Sequence, residues 1–172
     1  MRSLPFFGLF LLIVCGPGCS STPRHLVLAP IGPPPGLSLE TSNPGSLLVF
    51  SALDPSPDFN ASPYRYRHTD YQVYSADGTN LVHTVCNDTG KAAGGPSRVE
   101  LPAGRYQVVA RANGYGPVTV PVVIRAGQVT TLHLEGSHWW PRTSPIFEAN
   151  PVRLPGGQIV GWPVLASDAG KP

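Results

Sequence analysis

Five histidines are the side chains of this sequence best suited to chemistry: His25, His68, His83, His133 and His138. Side chains alternate along an extended segment, so His68 shares a face with Asp70, and His133 shares a face with Glu135. A carboxylate next to an imidazole orients the ring, and with further imidazoles it makes a donor set for a divalent metal. A site assembled from His68, Asp70, His83 and Glu135 is therefore the metal-binding or enzymatic reading of the chain. Against it, no pair of histidines is read as the tight spacing of a zinc motif, and G-x-S-x-G, H-E-x-x-H and a strand–loop–helix phosphate cradle are all missing from the sequence. "GGPS" at 94–97 reads as a loop. Asp54 and Asp58 share a proline-rich loop without the calcium-loop pattern, so ordinary solvation is expected of them. The expectation is a chain with no catalytic residues, no metal and no cofactor.

Three cysteines carry the next chemistry. Arg2 precedes an apolar run "LPFFGLFLLIV" at 4–14, too short for a membrane span but of the length of an export-signal core. It ends in "CGPGCSSTP". This stretch resembles the lipobox of bacterial lipoproteins, in which an invariant cysteine is acylated and becomes the mature N-terminus. Cys19 fits that role, with Gly18 before it and Ser20 and Ser21 after it; Val14 is too bulky before Cys15. The pattern departs from the family at Gly16, where leucine is usual. The resemblance implies a lipid anchor at Cys19, with Ser20 in the outer-membrane pattern. Cys86 is then left over. It reads as a small buried hydrophobe or, in a conventionally cleaved periplasmic chain, as a disulfide partner of Cys19.

Tryptophans are the third group. Trp139, Trp140 and Trp162 all fall after residue 136, in a stretch rich in proline and glycine. A disordered tail is poor in aromatics, so these rings are expected to pack on the domain or to form a docking surface for a protein or glycan partner.

The elements that must position these groups are strands. Twenty-one prolines and nineteen glycines in 172 residues disfavour helices, and no long window has apolar residues at helical spacing. Basic and acidic side chains nearly balance, twelve against ten, which removes the electrostatic case for nucleic-acid binding. Residues 1–18 read as the lipoprotein signal and 19–45 as a lipid-anchored, proline-rich stalk with "GPPPG" in extended polyproline form. Residues 46–135 read as the β-domain, and 136–172 as the aromatic tail. Within the domain, "YQVYSADGTNLVHTV" reads as a hairpin with an Asp77-Gly78 type I′ turn. "RYQVVARA" puts Tyr106, Val108 and Ala110 on one face, and Val118, Val120, Val122 and Ile124 alternate with Thr119, Pro121, Val123 and Arg125. Pro121 cannot donate to a ladder, so its strand is an edge or its nitrogen points away from the pairing.

"GSLLVFS", "YSADGTNL", "LPAGRYQVVARANGYGPVTV" and "IRAGQVTTLHLEG" together resemble the PEGA domain and the related carboxypeptidase-regulatory or transthyretin-like β-sandwiches. The carrying positions are Gly104, Tyr106, Val108, Gly114 and Tyr115. The resemblance implies a small antiparallel β-sandwich, a positive φ at Gly104, and packing or hydrogen-bonding roles for Tyr106 and Tyr115. It also implies an accessory or binding module rather than an enzyme. The insertion at 54–70 departs from the compact family pattern. The sequence thus predicts an all-β, non-catalytic lipoprotein of the bacterial cell envelope, held at a membrane through Cys19, with a disordered signal, a proline-rich linker and an envelope protein or glycan as partner.

Overall fold

The computed structural model describes residues 25–35, 44–54, 67–87 and 95–164. It is an all-β fold. Eleven strands run in chain order: β1 Leu26–Val27, β2 Ile31–Gly32, β3 Gly45–Phe50, β4 Tyr71–Ser75, β5 Leu81–Val85, β6 Arg98–Leu101, β7 Gly104–Ala112, β8 Gly116–Ile124, β9 Val129–His133, β10 Val152–Arg153 and β11 Ile159–Pro163. One 3-10 turn, Pro145–Phe147, interrupts the last connection.

The strands build two sheets. The larger has the order β10-β11-β2-β8-β7-β4-β5, with β1 also on β8, and the smaller has the order β6-β3-β9. Period-two alternation is the reason: Val108, Ala110, Ala112, Val118, Val120, Val122 and Ile124 on the large sheet meet Leu47, Val49, Val99, Leu101 and Leu132 of the small one in a single buried cluster. Hairpin neighbours pair antiparallel, as their turn signals predict. Three pairings are parallel, β1–β8, β2–β8 and β3–β9, so both sheets are mixed. Turn signals report only consecutive strands, and these pairs join segments far apart in the chain.

Residues 25–32 do not belong to a stalk. β1 and β2 lie along β8, Ile31 is fully buried, and His25 Nε2 lies 2.6 Å from Thr119 Oγ1. Both strands carry the few apolar residues of a proline-rich stretch, and the open side of β8 is where they bury. The tail likewise returns to the domain: β11 pairs antiparallel with β2, and Ile146, Leu154 and Val160 are buried. Residues 1–24, with Cys15 and Cys19, lie outside the described residues, as do 36–43 of the expected stalk, Asp58, most of the 54–70 insertion, and the chain after 164.

Several local readings are corrected. Pro121 is in an interior strand, opposite Gln107. Thr119 O accepts from Leu28 N, so the nitrogen two residues on faces the same side, in the gap between β1 and β2. Gly104 has no positive φ; the left-handed position of the motif is Gly114, at 79°. The β4–β5 turn is longer than a two-residue type I′ loop. Gly78 N donates to Ser75 O, Ser75 N donates to Asn80 O, and the Asp77 carboxylate accepts from Ser75 Oγ, Thr79 N and Thr79 Oγ1. The side-chain bonds of Asp77 favour this wider turn. Finally, Cys86 is exposed beyond β5 rather than buried in the core.

Candidate functional site

Parallel pairing of β3 with β9 sets Phe50 beside His133 at the ends of the two strands. Their rings stack at 4.5 Å between centroids, 13° from parallel. The chain then bends. Leu134 N and Glu135 N both donate to Phe50 O, and Gly136 takes φ 73°, a conformation that side chains with a Cβ adopt reluctantly. This reversal lays His138 over the other face of His133, with centroids 3.7 Å apart and planes 26° apart. Trp140 closes the group edge-on, 5.4 Å from His133 and 4.6 Å from His138. His68 also packs edge-on with Phe50 at 5.5 Å, and its Nδ1 donates to Ser51 O at 2.7 Å.

His133 and Glu135 are the buried heart of this cluster, 5% and 8% exposed. His133 Nδ1 lies 2.9 Å from Glu135 Oε1. An ionised carboxylate only accepts, so Nδ1 is the donor. Glu135 Oε2 and Trp140 Nε1 are buried without a hydrogen-bond partner. Asn113 locks the loop in place: its N donates to Leu134 O, its Nδ2 donates to Glu135 O at 2.7 Å, and its Oδ1 accepts from Leu53 N. The His138 pKa is pushed below its ordinary value by partial desolvation of the ring and by the neighbouring His133, with Glu135 pulling the other way.

Of the set His68, Asp70, His83 and Glu135, the structure brings His68 against Phe50 and Glu135 against His133 in this cluster and leaves the other two elsewhere. Asp70 Oδ1 accepts from Asn87 N, and His83 pairs with Val73 on exposed β5. The pair His133 and Glu135 does come together on one side of its segment. His138 was the missed member. Four residues separate it from His133, a spacing found in the histidine half of zinc motifs.

The other singled-out residues take structural places. Trp139 is 75% exposed, Trp140 belongs to the cluster, and Trp162 sits half-buried in β11 opposite Gly32. Tyr106 Oη donates to Pro102 O, and burial raises its pKa. Gly156 N donates to Tyr115 Oη at 2.7 Å, which ties the tail to the β7–β8 turn.

Two further surfaces could receive a ligand. A cavity of about 760 Å³ lies over the outer face of β7 and β8, floored by Gln107, Pro121 and Val123 and walled by Pro30, Val152 and Pro163. The second surface is β5, the last strand of the large sheet. Leu81 and Val82 there are 52% and 45% exposed. Among the described residues no helix is long and apolar enough to cross a membrane.

No family model, no curated protein and no solved structure matches this chain.

Proposed function

We propose that this chain is a non-catalytic, lipid-anchored protein of the bacterial cell envelope whose β-sandwich docks a partner protein along the free edge of β5. The edge is the observation that carries this reading. Among the described residues β5 pairs only with β4. Its sequence, "LVHTV", has none of the lysine, proline or acidic side chains that normally blunt such an edge. Leu81 and Val82 are adjacent and both exposed, at the irregular end of β5 where the β4–β5 register shifts, so an added strand would find apolar contact there. Main-chain hydrogen bonds would supply affinity, and pockets around these side chains would supply selectivity.

The export-signal pattern and the lipobox-like "CGPGCSS" support the anchor at Cys19, with the outer membrane as its destination. The resemblance of residues 46–135 to PEGA-like and transthyretin-like modules supports an accessory role. Six residue steps separate Cys19 from His25, the first of the described residues. They span at most about 20 Å, so the anchor holds the sandwich close to the lipid surface rather than at the end of a long spacer.

The test places a photo-cross-linking residue at exposed His83 in the native chain within envelope membranes. One discrete protein adduct is expected, lost when Leu81→Lys and Val82→Lys are added, with thermal unfolding unchanged. No adduct, or one indifferent to the two lysines, contradicts edge docking. Retention on a cell-wall glycan that is lost with Trp139→Ala would move the binding surface to the exposed indole.

A further inference from the structure

Edge docking on β5 leaves the His133 cluster without a role. One donor atom from each of His133, Glu135 and His138 lies within 4.8 Å of the others. Two imidazoles and one carboxylate make a donor set suited to Zn²⁺ and the late first-row divalent ions, whereas Ca²⁺ and Mg²⁺ take oxygen ligands. We infer that His133, Glu135 and His138 form a three-ligand site for a divalent transition metal, Zn²⁺ being the ion its donors and its four-coordinate preference suit best.

Three features carry the inference. The first is preorganisation. His133 and Glu135 are fixed by burial, by the Phe50 stack and by the two Phe50–loop hydrogen bonds, with donor atoms already 2.9 Å apart. With metal–ligand bonds near 2.0 Å, tetrahedral ligands sit roughly 3.3 Å from one another. The metal therefore takes the place of the proton between Nδ1 and Oε1, the ring passing to its Nε2–H tautomer, while ring and carboxylate part by a few tenths of an ångström.

The second feature is an unmet need. Glu135 Oε2 is buried and accepts from nothing. A buried carboxylate with one oxygen in that state is costly, and a cation bound at Oε1 offsets the negative charge that the two oxygens share.

The third is one movable ligand. His138 is exposed and follows the Gly136 reversal, so its ring can turn while the other two donors stay. Stacked rings direct their lone pairs side by side. Coordination needs them to converge, so metal binding must break the His133–His138 stack and shift the environment of Trp140. Three protein ligands leave a fourth position for water or a small ligand.

The experiment is a calorimetric titration of Zn²⁺ into the untagged, chelator-treated chain, with Co²⁺ absorption to read coordination geometry. The expected result is one equivalent bound, tetrahedral Co²⁺ bands, a change in tryptophan fluorescence, and a thermal midpoint that rises with metal. His138→Ala alters an exposed side chain and is expected to keep the fold while losing at least about tenfold in affinity; His83→Ala on β5 is expected to bind as the native chain does. Glu135→Gln tests the carboxylate, and if it fails to fold the His138 variant still decides the matter. A folded native chain that binds neither ion, or a His138→Ala variant of unchanged affinity, overturns the inference and leaves His133–Glu135 as a buried structural pair.

Discussion

Asn113 joins three parts of the chain through one side chain and its own amide: Leu53, Leu134 and Glu135. Asn113→Ala removes the two side-chain bonds and leaves Glu135 O without its amide donor. A loss of about 1–2 kcal/mol is expected, read as a lower urea midpoint at unchanged slope. Asp77 gives a second prediction at this scale. Hydrogen bonds from Ser75 and then Thr79 hold its pKa down at about 2, below the unfolded value of roughly 3.9. A folded pKa lowered in this way adds stability above the unfolded value that is lost as pH falls through about 2. The Thr79 amide resonance should titrate with that midpoint in the native chain and show no such step in Asp77→Asn. Legibility at the residue scale was uneven. Alternation placed His133 with Glu135, because both follow one short extended segment. His138 comes from beyond a glycine reversal, and alternation does not extend through a left-handed residue. Asn113 was legible as a turn residue, but its hold on the site depends on a loop twenty-two residues away.

Strands with a regular period were readable and two-residue strands were not. β7 and β8 have nine residues each, enough to show which face is buried. β1, β2 and β10 have two residues each, which is no period at all, and their partners lie on β8 and β11. Proline-rich composition pointed to an extended segment outside any sheet, yet Gly32 of "GPPPG" belongs to β2, because composition carries no information on what lies alongside. The packing of β3 shows how tight the sandwich is. A Cβ on Gly45 would sit 2.3 Å from Arg125 O and 2.5 Å from Ile124 Cγ2, both on or next to the buried end of β8. Gly45→Ala forces the β3 end and the β8–β9 turn apart and should cost about 1–3 kcal/mol, measured by chemical denaturation. A variant as stable as the native chain would show that the two segments are not so closely apposed.

At the scale of the whole molecule, the N-terminal segment and the tail are parts of one core rather than attachments to it. Leu28 and Ile31 before β3, and Leu154 and Val160 after β9, bury in the same cluster as β7 and β8. Each large apolar side chain taken from such a core costs about 2–5 kcal/mol, comparable with the whole stability of a small domain. A chain that starts at Pro44 should therefore lose cooperative thermal unfolding, followed by near-ultraviolet circular dichroism; a sharp transition at the native temperature would restore the stalk. Cys19 is only six residues before His25, which lies against β8, so an anchor there would set which partners β5 can reach. Intact mass and membrane fractionation of the native chain beside Cys19→Ala test it most directly. A lipid-anchored chain would show a mass gain of acyl chains on a mature N-terminus at Cys19, and membrane association that the variant loses. An unmodified, soluble native chain would contradict the anchor.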